Sequence, residues 1–293
     1  MQTNVISAFS PREGTTSPNR SVGAILIDSG RLREEDAASV LRYQRQHQMR
    51  FGDAAVALGL IKPEDLAFAL SSQFSFPYLR HGESAVSEEV IAAYNPFSDK
   101  VEALRALRSS LMLRWFDQDD RRKALAVVSP DRGEGRSFLT ANLAVVFSQL
   151  GERVLVIDAD MRNPRQHALF GLTNNLGLSS ILSGRAGLEV IRHNQALSNL
   201  SFLTSGPTPP NPQELLGRTT FSQLLFDLAP EFDVILVDSP AGIQSADAQT
   251  IATRAGAALL VARKNVSQIR GLKALATAIG QASTVVGTVL NEF

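Results

Sequence analysis

The stretch Ala124-Leu125-Ala126-Val127-Val128-Ser129-Pro130-Asp131-Arg132-Gly133-Glu134-Gly135-Arg136-Ser137 decides the fold. Its apolar start reads as a buried strand, Gly133 and Gly135 permit a tight turn, and Phe138 to Gln149 reads as a helix. A helix start presents unpaired N–H groups and the positive end of its dipole, so an anion can be held over Gly133 to Ser137. Strand, glycine-rich turn and helix in this order make a phosphate-binding loop, whose hydroxyl (Ser137) sits on magnesium. The Walker A form has lysine before that hydroxyl, where this chain has Arg136. Arginine keeps the charge, but its planar fork is bulkier and binds two oxygens at once. Pro130 stands where the pattern has its first glycine. An ordinary glycine turn between strand and helix is the competing reading, and the rest of the chain weighs against it.

Val154 to Ile157 is a short apolar run that ends in Asp158-Ala159-Asp160-Met161-Arg162. In extended backbone Asp158, Asp160 and Arg162 share one face. A lone aspartate after a strand commonly caps the next helix, but this spacing beside a phosphate loop reads as a site. Val234 to Val237 followed by Asp238-Ser239-Pro240 repeats the theme, in the Walker B arrangement of a carboxylate that holds magnesium or its water. Ser137, Asp158 and Asp238 form a sufficient magnesium set, because that ion takes hard oxygen ligands and keeps several waters. Further apolar runs, Leu200 to Thr204, Ala257 to Ala262 and Val285 to Leu290, alternate with helical stretches at Phe221 to Leu228, Ala246 to Arg254 and Val266 to Ile279. The expected fold is therefore α/β: a doubly wound, mainly parallel sheet with ligand at the carboxyl ends of its strands.

The 293 residues are long enough for two domains, and 44% hydrophobic with 20% charged residues is a globular balance. A net charge of +0 gives no global field for nucleic acid or an acidic membrane, so neither is expected as a direct partner. Zero cysteines exclude disulfides, thiol catalysis and thiolate metal sites, and fit a reducing cytoplasm. Residues 1–19, rich in Ser, Thr, Pro and Asn, read as a flexible leader without a signal-peptide core. In residues 20–80 Gly23, Gly30, Leu32, Glu35, Asp36 and Gln44 recur as Gly52, Gly59, Ile61, Glu64, Asp65 and Gln73, each 29 positions on. Each unit reads as a short helix, a glycine C-cap and a second helix with acidic first turn, so a small helical tandem-repeat domain is expected. Residues 81–97 read as a linker with one short helix at Ser87 to Tyr94, and a P-loop domain is expected over 98–293. Its first helix, Val101 to Arg114, sets Leu104, Leu107 and Leu111 on one stripe and Glu102, Arg105 and Arg108 on the next.

These motifs together resemble the bacterial tyrosine kinases of polysaccharide export. The Asp158, Asp160, Arg162 set is similar to their Walker A′ motif, and Asp238-Ser239-Pro240 to their Walker B. Gly206-Pro207-Thr208-Pro209-Pro210-Asn211-Pro212 is similar to a segment they carry before a helix, and Glu102-x-x-Arg105-x-x-Arg108 to their oligomerisation motif. The resemblance covers about residues 98 to 293, closest to the chain-length determinants of exopolysaccharide synthesis. Residues 20–80 separately resemble the N-terminal domain of type II secretion and type IV pilus ATPases, some of which bind cyclic di-GMP.

The resemblance implies ATP or ADP with magnesium, cradled by Gly133, Glu134, Gly135, Arg136, Ser137 and Phe138, with Arg162 and Asn291 also on the nucleotide. It implies Asp158, Asp160 and Arg136 as catalytic residues and either aspartate as acceptor of the tyrosine hydroxyl proton. It also implies a weak or partner-dependent homo-oligomer through Glu102, Arg105 and Arg108, and a cytoplasmic protein reaching the inner membrane through a polysaccharide co-polymerase. For residues 20–80 it implies cyclic di-GMP at Arg20, Gly23, Gln44, Arg50, Gly52 and Gln73, weakened because the first copy opens Ser21-Val22-Gly23 where the second has Arg50-Phe51-Gly52. Family kinases usually end in a tyrosine cluster. This sequence ends Asn291-Glu292-Phe293 and has tyrosine only at 43, 78 and 94, so self-phosphorylation on a tail is not expected within it. The expected function is a magnesium-ATP-dependent tyrosine kinase acting on another protein. The alternative is a nucleotide-gated ATPase or pseudokinase that assembles with a membrane partner without phosphorylating it. The plasmid-partitioning ATPase type fits less well, since it has a lysine early in the loop where Asp131 or Arg132 stands.

Overall fold

The computed structural model describes residues 21–73, 78–79, 81–119, 121–194, 197–242 and 246–292. The chain divides into two units, Met1–Phe76 and Pro77–Phe293. The expected leader, residues 1–19, and Arg20 lie outside the described residues.

The first unit is four helices: α1 (Val22–Asp28), α2 (Glu34–His47), α3 (Phe51–Ala57) and α4 (Pro63–Gln73). α3 repeats α1 at the sequence offset of 29 at both ends. Gly30 and Gly59 follow them in matching left-handed conformations, φ 69° and 68°, which only glycine adopts cheaply. The two copies exchange partners, α1 packing on α4 and α2 on α3. They bury Leu26, Val40, Ala54 and Ala69 between them. Each copy is thus half of one core, which is why neither half is a domain by itself.

The second unit opens with α5 (Ile91–Tyr94) and α6 (Asp99–Arg114). There follow β1 (Ala124–Val128), α7 (Arg136–Ser148), β2 (Val154–Asp158), α8 (Gln166–Leu169) and α9 (Leu178–Leu182). The chain continues through β3 (Arg192–His193), β4 (Leu200–Leu203), α10 (Pro212–Gly217), α11 (Thr219–Leu228) and β5 (Val234–Asp238). It closes with α12 (Asp247–Ala255), β6 (Ala257–Arg263), α13 (Ile269–Gly280) and β7 (Thr284–Asn291).

The sheet has seven strands in the order β3-β4-β2-β5-β1-β6-β7. Every pairing is parallel except the edge pair β3–β4. Strand residues alternate between two cores, as a period of two requires. Leu125, Val127, Val154, Val156, Val234 and Leu236 join α6 and α7 on one face. Ala126, Val128, Leu155, Ile157, Ile235 and Val237 join α11, α12 and α13 on the other. No helix among the described residues is long and apolar enough to cross a membrane.

One expectation needs correction. Residues 81–97 are not a linker, and the α/β unit does not begin at 98. Val86, Val90, Ala92, Ala93 and Tyr94, with Leu79 before them, are buried in the same core as α6 and α7. Asn142 of α7 accepts from Ala92 N at 2.9 Å through Oδ1 and donates to Glu89 O at 3.1 Å. Gln149 Nε2 donates to Ala92 O at 3.0 Å, and Ser87 N to Leu169 O at 2.7 Å. The short helix expected at Ser87 to Tyr94 is present as Ile91–Tyr94, but its burial does not show in the sequence, because one helical turn is too short for an apolar periodicity.

Candidate functional site

The register of the sheet builds the site. Asp158 and Asp238, each the last residue of its strand, are paired neighbours on β2 and β5, and Val127 of β1 lies opposite Asp238 on the other side. The loop after β1 crosses this edge with Gly133 and Gly135 at φ 74° and 96°, and α7 begins at once with Arg136. Phosphate-binding backbone and metal-binding carboxylates thus meet at the carboxyl ends of adjacent strands.

Asp158 is fully buried. It accepts from the backbone N–H groups of Arg165 and Gln166, both at 2.9 Å, and of Asp160 at 3.2 Å. Burial, then the charge of Asp238, hold its carboxyl well above the ordinary carboxylate value, against the pull of those N–H groups. Asp238, equally buried, is pushed up to about 6, chiefly by desolvation. The Ser137 hydroxyl, the Gln166 amide and the Arg136 guanidinium act in the opposite direction. Its Oδ2 accepts from Gln166 Nε2 at 2.8 Å, while Oδ1 is buried and has no hydrogen-bond partner. That orphaned oxygen beside Ser137 fits a magnesium ion or its water. No cluster of three acidic, histidine or cysteine side chains suited to a metal occurs among the described residues. An ion that takes phosphate and water oxygens does not need one.

Asp160 is fixed by Arg162 N at 3.2 Å and Asn163 N at 2.9 Å, both donating to Oδ1. Unlike Asp158 and Asp238, it lines a cavity of about 580 Å³ with Gly133, Gly135, Arg136, Ser137 and Phe138. Lys100, Arg132, Arg165 and Arg263 line it too, against Glu89 and Asp160, so its walls are net basic and suit an anion. The volume is that of a small-ligand pocket.

Four expected site residues are bonded within the protein. Arg136 donates from Nε to Ser239 O at 2.9 Å and from Nη1 to Asp131 O at 2.6 Å and to Ser129 Oγ. Its guanidinium therefore joins the ends of β1 and β5 to the loop. Glu134, fully buried, accepts from Asp131 N at 2.7 Å and from the Ser267 hydroxyl, bracing the loop from inside. Asn291 Nδ2 donates to Glu134 O at 3.3 Å. Arg162 is turned to Asp247 of α12, Nε to Oδ2 at 3.0 Å, and does not line the cavity.

The stripe on α6 is not uniformly outward. Glu102 is well exposed and pairs with Arg105 at 3.0 Å on the same helix, but Arg108 Nη1 donates to Val146 O of α7 at 2.8 Å. Burial lowers the Arg108 pKa, followed by the charge of Arg105. Arg108, half-buried, thus also takes part in the packing of α6 on α7.

In the first unit Gly23 and Gly52 have packing reasons. A Cβ on Gly52 would lie 2.1 Å from Leu66 Cδ1, and one on Gly23 3.1 Å from the Phe51 ring. Gln44 and Gln73 are half-buried on α2 and α4, and Arg50 is exposed immediately before α3.

Sequence reasoning missed Gln166, which touches Asp238 and Ser137, and the basic walls at Lys100, Arg165 and Arg263. Arg165 and Gln166 follow Asp160 closely enough to have been suspected. Lys100 and Arg263 sit on α6 and β6 with no local motif.

Residues 125–293 match the CobQ/CobB/MinD/ParA nucleotide-binding domain. Tyrosine-protein kinase YwqD of Bacillus subtilis is 34% identical over 209 residues, covering 71% of this chain and 87% of that protein. The kinase domain of the Escherichia coli tyrosine kinase ETK superposes with a TM-score of 0.67 at 33% identity, over 73% of this chain and 82% of that one. MinD of Pyrococcus horikoshii, solved with Mg-ADP, gives a TM-score of 0.51 at 26% identity, over 58% of this chain and 70% of that one.

Proposed function

The chain belongs to the bacterial tyrosine-protein kinases, and we propose how its own residues carry phosphoryl transfer from magnesium ATP to a tyrosine of another protein. Backbone N–H groups of Gly133 to Ser137 and the start of α7 receive the phosphates. Ser137 Oγ and Asp238 would hold magnesium, whose charge would neutralise that on the phosphate oxygens, while Asp158, by accepting from the backbone of Asp160, Arg165 and Gln166, fixes the loop after β2. Asp160 accepts the tyrosine hydroxyl proton. The observation that carries the reading is that Asp160 alone of the three aspartates lines the cavity, while Asp158 is already bonded to three backbone N–H groups. Incubation with magnesium ATP and a tyrosine-bearing membrane partner tests it. The parent should form phosphotyrosine, and Asp160→Asn should bind ATP but transfer at least about a hundredfold more slowly. Undiminished transfer by Asp160→Asn would remove that residue from the role.

A second reading, a nucleotide-gated module that assembles without phosphorylating, is favoured by one observation: Arg136 spends its guanidinium on Ser239, Ser129 and Asp131. Nucleotide binding with no phosphotyrosine on any partner would select it.

Three finer readings accompany the kinase. The partner is a polysaccharide co-polymerase of the inner membrane, with this chain on its cytoplasmic side, a reading supported by the resemblance to polysaccharide-export kinases. Self-association runs through Glu102, Arg105 and Arg108 and is weak, since exposed pairs contribute about 0.2–1 kcal/mol each. Light scattering of Arg105→Glu in low and high salt tests it. Cyclic di-GMP binding by residues 20–80 rests on the repeat, although Phe51 and Leu66 pack close over Gly23 and Gly52 whether or not a ligand binds. Titration of cyclic di-GMP into the full chain decides it.

A further inference from the structure

Gln166 joins three parts of the site. Its backbone N–H donates to Asp158 Oδ2 at 2.9 Å, and its side-chain Nε2 donates to Asp238 Oδ2 at 2.8 Å and to Ser137 O at 3.1 Å. Both side-chain partners are oxygen acceptors, so the amide can stand in one orientation only, Nε2 toward them and Oε1 away. The residue is 1% exposed, and Oε1 is buried with no hydrogen-bond partner. Asp238 Oδ1 is in the same condition. Two orphaned acceptors therefore belong to two side chains that are hydrogen-bonded to each other, at the edge where the sheet, the loop and α7 meet.

A purely structural role explains Nε2 and leaves Oε1 unexplained. Buried polar atoms are nearly always paired, so each of these two acceptors calls for a donor that the surrounding side chains do not supply. A water bound to a divalent cation is such a donor: it is polarised, carries two hydrogens, and is retained by magnesium in protein sites.

We propose that Gln166 is a positioning residue for the metal, its side-chain Nε2 fixing the Asp238 carboxylate and its Oε1 accepting a hydrogen bond from a magnesium-bound water. The inference rests on the magnesium-nucleotide reading of the site above. Outer partners of this kind typically change metal affinity 10–100-fold when removed. They leave phosphate contacts to the backbone untouched.

The test is calorimetric titration of ADP into the full chain at a series of magnesium concentrations, for the parent, Gln166→Leu and Gln166→Met. Methionine nearly keeps the volume and carries the test should leucine prevent folding. The expected result is metal-free ADP affinity as in the parent, with the half-saturating magnesium concentration raised at least about tenfold. A magnesium dependence identical to the parent's overturns the role of Gln166, even if the variants melt earlier. If the parent itself shows no magnesium-dependent ADP binding, the reading of the site falls, and this inference with it.

Discussion

Arg136 spans the ends of β1 and β5 through Ser129 Oγ, Asp131 O and Ser239 O, a reach that depends on a fork of donors. Removing it leaves the buried Ser239 carbonyl and the half-buried Asp131 carbonyl short of a charged donor, a loss of about 1.5–3 kcal/mol. Arg136→Ala should therefore melt earlier than the parent without nucleotide, and Arg136→Lys should recover only part of the loss, because one ammonium group cannot serve both strand ends. Thermal unfolding of the two variants side by side checks this, and a lysine variant as stable as the parent would count against it. The aspartates make a second prediction at this scale. Asp238 titrates near 6, above the usual carboxylate value, and Asp158 is raised too. Between the ordinary carboxylate range and about 6 the folded protein binds more protons than the unfolded chain, so stability falls as pH rises through about 6. Without metal the protein should melt higher at pH 5.5 than at pH 7.5. Asp238→Asn, which removes one of two buried like charges, should raise the melting temperature at pH 7.5, flatten the pH dependence and lose magnesium binding. Melting curves across pH for both proteins, without and with magnesium, measure all three.

Elements explain why some parts of the site could be foreseen. The strand ends carrying Asp158 and Asp238 were legible, since apolar runs closed by aspartate survive any change in surroundings. The neighbourhood of those aspartates was not, because β2 and β5 are adjacent only through the sheet order, which a sequence does not print. The same gap hid the role of residues 78–97. Their anchorage is long-range, through Asn142, Gln149 and the turn after α8, where Gly171 adopts φ 63° and a Cβ would lie 2.5 Å from Ala85 O. Gly171→Ala must both enter the left-handed region, at about 1–2 kcal/mol, and push the segment away from α8. The expected outcome is a lower melting temperature together with faster amide exchange in residues 85–94, while exchange in α2 is unchanged. Loss of protection spread evenly over the α/β unit would instead mean that the segment and the sheet unfold as one.

At the scale of the molecule the two units differ in what makes each complete. The helical unit is complete when both copies of its repeat are present, and the α/β unit when it begins before α5. Leu79, Val86, Val90 and Tyr94 lie in the core with α6 and α7, none more than 7% exposed. Each fully buried apolar side chain contributes about 1.5–3 kcal/mol. Stripping these four amounts to roughly 6–12 kcal/mol, comparable with the whole stability of a typical domain, about 5–15 kcal/mol. Removal also uncovers the apolar side of α7 and takes Glu89 and Ile91 from the cavity wall. A fragment from residue 77 to 293 should therefore fold and bind magnesium ADP with the affinity of the full chain. One from 98 to 293, the boundary that motif reading suggests, should be unfolded or aggregated at 25 °C even though it retains Gly133, Ser137, Asp158, Asp160 and Asp238. Circular dichroism and calorimetry on the two fragments separate the cases. A stable, nucleotide-binding 98–293 would show that the core is whole without α5 and that the segment before α6 only leans on it.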